Sequence, residues 1–290
     1  MNFINPKTDF AFKRIFGSEQ SKPILISFLN ALLYQGKSTI ADLEILNPYL
    51  APKVRGMKDS FLDIKAKLAD QTSVIIEMQV LNYEGFEKRI LFNAAKSYST
   101  QLKIGEGYSL LNPVIALTIT DFTMFESLEM VVSRFVLKEK EYLLDYPIDD
   151  LELVFVELPK FDKALDELTS LTDQWLNFLK HARDLERVPE TMGSIPAIQQ
   201  AFDIADQANL TPEELDDLQQ REFYLYDMQT ALDRTAAKVA RETAARVERA
   251  TAKAKTLEIA RQLLDVLDAA TISQKTGLSL EEVRGLQQEG

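Results

Sequence analysis

Apolar and polar positions at the start of the chain alternate with a helical period. Apolar side chains recur three or four positions apart in residues 6–33, and the mostly polar stretch 17–21, which begins with Gly17, interrupts them. Such spacing collects apolar side chains on one face of a helix, and a glycine among polar residues is typical of a break. The sequence therefore predicts two helices, with apolar positions at Phe10, Phe12, Ile15, Phe16, Ile24, Leu25, Phe28, Leu29, Leu32 and Leu33.

Short runs rich in apolar and β-branched residues follow, separated by proline or polar turns. Such runs are typical of strands, and a continuous apolar run is typical of a strand covered on both faces. The order of elements predicts a mixed α/β core. The predicted strands are residues 43–50, 60–68, 72–81, 113–120, 130–137 and 151–158, and the predicted helices are residues 86–103 and 161–185.

The character of the chain changes after Pro196. Thr211, Pro212 and Glu214 form an N-terminal capping signature, which predicts a helix that extends to about residue 267. Its section at residues 233–255 is rich in Ala, Arg, Glu and Lys and cannot bury a wide apolar face. This section is expected to be a projecting arm or a loose coiled coil, with a partly frayed linker as the alternative.

The tail of the chain predicts a helix, a turn and a final helix. Gly277 suits the position that follows a helix, and Ser279 with Glu282 predicts a capping box. The final helix carries Glu281 and Glu282 and one cation, Arg284, so packing is favoured over reading of a DNA groove. We therefore expect a first domain at residues 1–190 and a helical extension at residues 191–290.

Composition excludes several kinds of chemistry. The absence of cysteine excludes disulfides, thiolate zinc sites and cysteine nucleophiles. The single histidine, His181, leaves no Ser-His-Asp triad with a local signature and no histidine-rich metal cage. If the protein catalyses hydrolysis, the catalytic side chains would be carboxylates. No apolar run approaches a membrane span and no signal region is visible, so a soluble, cytoplasmic protein without a membrane partner is expected.

The charge is unevenly distributed along the chain. The formal net charge of −12 argues against a uniformly basic nucleic-acid wrapper, because phosphate binding draws on Lys and Arg. Residues 1–100, however, carry 13 Lys and Arg against 10 Asp and Glu, which gives a local net charge of +3. A surface that binds a polyanion is therefore expected in the first third of the chain.

Two acidic residues lie on neighbouring predicted strands. Alternation places Asp63 on the polar face of one strand, and Glu77 and Gln79 on the polar face of the next. A hairpin centred on Asp70 would set the two carboxylates directly opposite, an arrangement that destabilises a strand pair unless a cation lies between them. The predicted pairs are Lys67 with Ser73, Lys65 with Ile75 and Asp63 with Glu77.

Oxygen ligands of this kind select Mg²⁺, with Mn²⁺ or Ca²⁺ as alternatives. A metal so held would polarise a phosphoryl oxygen and help to generate hydroxide from water. Gln79 could position that water, but an amide is neither a charged clamp nor a strong base at neutral pH. The alternative is that Asp63 and Glu77 are ordinary acidic residues on a solvated strand face.

The chain resembles the PD-(D/E)XK nuclease superfamily, and more closely the recombination-promoting nucleases and transposases of the Rpn family. The resemblance rests on the segment from Asn5 to Gly17, on Leu62-Asp63-Ile64, on Ile76-Glu77-Met78-Gln79-Val80, on Arg89 and Tyr98, and on the tail segments 270–273 and 276–279.

The resemblance implies a restriction-endonuclease-like αβββαβ core, followed here by the C-terminal helical extension. It implies that Asp63 and Glu77 are metal ligands and that Gln79 stands where the superfamily has Lys. It further implies that Asp9 adds a carboxylate to the site. Residues that line the site for substrate binding would be Lys13, Arg89 and Tyr98, although a salt-bridged or packing helix face explains these side chains and Asp9 equally well.

Two functions from different classes remain open. The first is a divalent-metal-dependent DNA endonuclease, acting on double-stranded DNA and linked by resemblance to recombination, mobile elements or phage defence. The second is a degenerate nuclease fold that binds nucleic acid or a protein partner with little or no catalysis. In either case, the C-terminal helices could join subunits into a homo-oligomer.

Overall fold

The computed structural model describes residues 2–50 and 60–288. The chain folds as a mixed α/β protein with a central sheet and a long C-terminal helix, as expected for a PD-(D/E)XK nuclease fold. Its helices are α1 Asp9–Phe16, α2 Lys22–Tyr34, α3 Phe86–Ser99, α4 Leu171–His181, α5 Glu190–Gly193, α6 Pro196–Ala205, α7 Pro212–Leu263, α8 Ala269–Thr276 and α9 Leu280–Gln288. Its strands are β1 Leu43–Leu46, β2 Tyr49–Leu50, β3 Ser60–Phe61, β4 Ile64–Leu68, β5 Ser73–Gln79, β6 Val114–Thr120, β7 Val132–Phe135 and β8 Leu151–Glu157.

The main sheet has six strands in the order β1-β4-β5-β6-β8-β7. Strands β1, β4 and β5 are antiparallel, β5, β6 and β8 are parallel, and β7 returns antiparallel beside β8. Strands β2 and β3 form a separate two-stranded sheet. Because β5 and β6 are parallel, their carboxyl ends meet at one edge of the sheet, where Gln79 pairs with Thr120.

Helices cover both faces of the sheet. Val74, Ile76 and Met78 of β5 face one side and join the large core formed with α1, α2, α4 and α6. Ile75 faces the other side and packs with Ala94 of α3. This alternation follows from the period of a strand, and covering on both sides explains why β6 is buried along its whole length.

Local signals fix the starts of the helices around the core. The Thr8 hydroxyl accepts a hydrogen bond from the Ala11 amide (3.3 Å) at the start of α1, and Ser170 accepts one from the Asp173 amide (3.0 Å) at the start of α4. Both contacts satisfy an amide that has no partner within its helix. The two predicted N-terminal helices are confirmed as α1 and α2.

The structure corrects several predicted boundaries. The predicted helix 161–185 is wrong in its first ten residues, because the capping box at Ser170 starts α4 there. The predicted helix 86–103 ends at Ser99 rather than at the later glycines. The predicted strand 60–68 is divided into β3 and β4 by Leu62 and Asp63. Helices α5 and α6 were not predicted.

The chain divides into two compact units, residues 1–225 and 226–290. The first unit extends past residue 190, where the sequence analysis placed a boundary, because Ile198, Ala201, Phe202 and Ala205 of α6 lie in the large core. The division falls within α7, whose start at Pro212 is confirmed.

The second unit contains the predicted helix, turn and helix. Gly277 follows α8 with a φ of +75°, a conformation that glycine adopts without strain. The Ser279 hydroxyl accepts from the Glu282 amide (3.2 Å) and the Glu282 carboxylate accepts from the Ser279 amide (2.9 Å), so the predicted capping box is confirmed. Across the described residues, no helix combines the length and the apolar character needed to cross a membrane.

Candidate active site

The candidate site lies at the carboxyl ends of β5 and β6. The predicted β4–β5 register is confirmed for Lys67 with Ser73 and for Lys65 with Ile75. The paired ladder ends at Ile64 opposite Ile76, one position before Asp63. Asp63 and Glu77 are therefore close in the fold, but the predicted direct pairing of these two residues within the ladder is not formed.

Asp63 reaches the neighbouring strand through its side chain. Its Oδ2 accepts a hydrogen bond from the Met78 amide (2.8 Å), which places the carboxylate against the peptide bond that joins Glu77 to Met78. The irregular backbone at Leu62 and Asp63 permits this reach. The same irregularity turns Leu62 to the α3 side of the sheet, whereas a regular strand would place it on the same face as Ile64.

Glu77 is 6 % exposed and is held by two side chains of α3. Its Oε2 accepts from an Arg89 guanidinium nitrogen (2.7 Å), and its Oε1 accepts from Asn93 Nδ2 (2.6 Å). Arg89 and Asn93 are one helical turn apart, so both point at the same strand. The contact places Arg89 beside Glu77, and its role in substrate binding stays a prediction, whereas Asn93 was missed as a site residue.

Asp9 and Lys13 of α1 approach Asp63 from the opposite side to α3. The Lys13 Nζ lies 2.6 Å from Asp9 Oδ1 and 3.4 Å from Asp63 Oδ1. Arg221 of α7 lies 3.1 Å from Asp9 Oδ2. No local sequence pattern predicts this contact, because Arg221 is more than 200 positions from Asp9.

Burial and charge act differently on the groups of this cluster. Loss of solvation is the main reason that the pKa of Asp63 is raised to about 6, although the Met78 amide and Lys13 oppose this change. Burial also disfavours the ionised form of Asp9, but Lys13 and Arg221 outweigh it and lower the pKa of Asp9. For Lys13, the carboxylates of Asp9 and Asp63 outweigh burial and raise its pKa.

Gln79 lies on the same face of β5 as Glu77. Its Oε1 accepts from Arg89 (3.1 Å), and its Nε2 donates to the Leu81 carbonyl (2.9 Å). The Arg89 guanidinium also lies over the rings of Tyr83 and Phe86, at 5.4 and 5.3 Å from their centroids. Arg89 is therefore the group that links Glu77, Gln79 and the start of α3.

Tyr98 is not brought to this cluster. Its hydroxyl donates to Asp150 Oδ2 (2.6 Å), a contact that raises the pKa of Tyr98 to about 12. The Asp150 carbonyl accepts from the Val114 amide at the start of β6, whereas the site lies at the far end of β6. Tyr98 lies near the end of α3, about 13 Å along the axis from Arg89 at 1.5 Å per residue.

The donor set fits a hard divalent cation. Asp63 and Glu77 supply carboxylate oxygens, and Mg²⁺ is commonly bound through one or two carboxylates together with water and substrate phosphates. The ammonium of Lys13 between Asp9 and Asp63 already shows that positive charge is favoured at this point. Among the described residues, no group of three or more acidic or histidine side chains has metal-binding geometry, so a metal would rest on few protein ligands.

Comparison with known proteins identifies the family. The sequence profile described as "PD-(D/E)XK nuclease family transposase" matches residues 6–235, which include α1, the whole main sheet and the first part of α7. Neither a curated protein nor a solved structure matches the sequence. Nucleases of this superfamily generally use divalent metal ions. Because the profile covers most of the chain, the protein belongs to the PD-(D/E)XK nuclease family transposases.

Proposed function

We propose that the protein is a divalent-metal-dependent endonuclease that hydrolyses phosphodiester bonds of double-stranded DNA. The observation that carries this proposal is the contact of the Asp63 carboxylate with the amide next to Glu77, which brings the Asp63 side chain to the strand that carries Glu77. Lys13 and Arg89 lie beside these carboxylates and could bind a phosphate. The family supports nuclease chemistry in general.

In this proposal, Asp63 and Glu77 hold the metal. Asp9 would add a third carboxylate from α1 only after its side chain leaves Lys13 and Arg221, because the described residues hold no group of three carboxylates with metal-binding geometry. Mg²⁺ is the expected ion, with Mn²⁺ or Ca²⁺ as alternatives. When bound, such an ion polarises the phosphoryl oxygen and lowers the pKa of a bound water. Because Glu77 accepts from both Arg89 and Asn93, its orientation is fixed before any ligand arrives.

The remaining side chains would orient the reactants. Lys13 and Arg89 would pair with phosphate oxygens once the carboxylates are neutralised by the metal. Gln79 would orient water through its amide, since it can donate and accept hydrogen bonds but cannot remove a proton efficiently. A role in recombination, mobile elements or phage defence and a cytoplasmic location are part of the same proposal.

Incubation of the full chain with supercoiled plasmid tests this function. We expect nicking or linearisation with Mg²⁺ or Mn²⁺ and no reaction in EDTA. Ca²⁺ distinguishes binding from catalysis, because it can occupy an oxygen site with a geometry less suited to Mg²⁺ chemistry. Absence of cleavage with every metal, in protein shown to be folded, would contradict the proposal.

A binding module with weak or no catalysis is the second candidate. Two observations favour it: Gln79 replaces the cation that the resemblance leads one to expect, and both Glu77 oxygens are already hydrogen-bonded. Such a module would retain DNA or a protein partner without cutting. DNA retardation in Ca²⁺ without cleavage in Mg²⁺ or Mn²⁺ would support this second function over the first.

Metal binding is expected to weaken at low pH. Burial raises the pKa of Asp63 to about 6. The Asp63 carboxyl is therefore ionised at pH 8 and about nine-tenths protonated at about pH 5, one unit below its pKa. Mg²⁺ affinity should therefore fall by about tenfold between pH 8 and pH 5. Calorimetric titration at both pH values checks this, and Asp63→Asn should remove this contribution to the pH dependence.

The same raised pKa has a consequence for stability. The folded state holds the Asp63 proton more tightly than the unfolded chain, so this group disfavours folding as pH rises through about 6. Its contribution therefore has the opposite sign to that of Asp9, whose pKa is lowered. A carboxyl carbon of Asp63 that titrates near 4 in NMR spectra of the metal-free protein would contradict the prediction.

A further inference from the structure

The connection between β7 and β8 is an extended hairpin with an unusual surface. Residues 135–148, the hairpin arm, form a separate antiparallel turn with a register different from that of the β7–β8 pair. The Tyr146 amide donates to the Leu137 carbonyl (3.2 Å), and the Glu139 amide donates to the Leu144 carbonyl (2.8 Å). Lys138 and Asp145 form a bridge between these two pairs. An isolated two-stranded hairpin is only marginally stable in water, so such an arm gains from a covering partner.

One face of the hairpin arm is apolar. Cross-strand pairing sets Leu137 beside Tyr146, and the period of a strand puts Leu144 on the same face. Lys138 and Asp145 lie on the opposite face, where their charges pair at 2.6 Å. The strand period therefore separates Leu137, Leu144 and Tyr146 from this ion pair.

Glu139 is the acidic residue that pairs with Leu144, and its carboxylate is directed at the turn. It accepts hydrogen bonds from the Glu141 amide (3.0 Å) and the Tyr142 amide (2.6 Å). The Glu139 carboxylate therefore has hydrogen-bond donors within the arm itself. A partner could therefore pack on the apolar face without having to neutralise Glu139.

The exposed apolar surface of the hairpin arm is large. Eight large apolar or aromatic side chains in the arm are between 38 and 77 % exposed. These side chains are spread over both faces and the turn of the arm, since Val136 shares the face of Lys138, and together they expose on the order of 800 Å², which is above the largest apolar patch of a typical monomer. These residues are Phe135, Val136, Leu137, Tyr142, Leu143, Leu144, Tyr146 and Ile148.

The tip of the arm also suggests that the exposed apolar side chains contact a partner. Leu143 has a φ of +57° and is 66 % exposed. Glycine or asparagine would adopt this left-handed conformation with less strain, and neither would expose an apolar side chain. Backbone strain that supports an exposed leucine is explained if the side chain has a contact to make.

We propose that the hairpin arm is a dimerisation surface that packs on the same arm of a second copy of this chain. A nucleic acid does not fit, because residues 135–150 carry two lysines against five acidic residues. A second copy fits because the face formed by Leu137, Leu144 and Tyr146 is apolar, the Lys138–Asp145 pair lies on the opposite face, and the arm as a whole exposes about the area of one side of a standard interface. A two-fold axis would set each face against the same residues of its partner, so Leu137, Leu144 and Tyr146 would pack on their own copies.

Analytical ultracentrifugation of the full chain over a wide range of concentrations tests this proposal. We expect a dimer for the natural sequence, and a dissociation constant raised by roughly 100-fold or more when Leu137→Lys and Leu144→Lys are combined. The matched control is Val247→Lys, an exposed apolar residue of α7, which should leave the dimer unchanged. A natural chain that stays monomeric, or an arm variant that stays dimeric, would overturn the proposal.

Amide hydrogen exchange provides a second readout that needs no substitution. Exchange at residues 136–148 should slow as the protein concentration is raised through the dissociation constant. Slowing confined to α7 would assign association to the C-terminal helices and would overturn the assignment to the arm.

Discussion

Asp63→Asn and Glu77→Gln are each expected to lower the rate of DNA cleavage by at least about 100-fold. Both substitutions keep the size of the side chain and remove a negative charge. Asn at position 63 can still accept from the Met78 amide, and Gln at position 77 can still accept from Asn93, so the fold should survive. The loss would therefore report on metal binding and catalysis rather than on folding.

Glu152→Gln is the matched control for this pair of variants. Glu152 is a β8 carboxylate that pairs with Arg134 (2.8 Å) and lies near the opposite end of the strands from the candidate site. The Glu152→Gln variant should cleave plasmid at the same rate as the natural sequence. The circular dichroism spectrum of each variant checks that it is folded. Cleavage that survives both site substitutions would remove Asp63 and Glu77 from the mechanism and would assign the activity elsewhere.

The β4–β5 hairpin shows where the sequence was informative. The alternation of polar and apolar residues and the polar turn at Asp70 were sufficient to predict the register, since a shift by one position would turn Val74 and Ile76 out of the core. The departure at Leu62 and Asp63 was not predictable from the same pattern. A strand period assumes a regular backbone, and these two residues lie in the break between β3 and β4.

Residues 161–170 illustrate a competition between two local signals. Phe161, Leu165 and Leu168 have helical spacing, which explains the overlong predicted helix. The capping contacts of Ser170 and Asp173 instead define the start of α4. Hydrophobic period predicted burial correctly for Phe161 and Leu168, whereas Leu165 is 42 % exposed, and capping decided where the helix begins.

The sequence did not predict which side chains from other helices contact the site residues. Asn93 could have been noticed from its spacing of four residues from Arg89, once α3 was placed over β5. Arg221 had no comparable signal, because its contact with Asp9 depends on how the start of α7 packs on α1. The same packing brings Glu214 to Arg14. The family match through residue 235 is consistent with this part of α7 belonging with the nuclease fold.

Trp175→Ala is expected to destabilise the first unit by about 3–5 kcal/mol. Trp175 is fully buried on α4 and contacts the rings of Phe16, Phe28 and Phe178, with centroid distances of 5.6 to 5.7 Å. Its Nε1 donates to the Ser27 hydroxyl (3.1 Å). Removal of the indole leaves a cavity between α1, α2 and α4 together with a hydroxyl that has lost its donor.

Urea unfolding followed by circular dichroism measures this loss, because the substitution also removes the one tryptophan that fluorescence would use. Ser27→Ala is the comparison, since it removes only the hydrogen bond and should cost about 1 kcal/mol. A Trp175→Ala cost no larger than that of Ser27→Ala would show that the ring cluster does not support the core. A large loss of unfolding free energy would also disturb the candidate site, because α1 carries both the Phe16 ring and the Asp9 and Lys13 side chains.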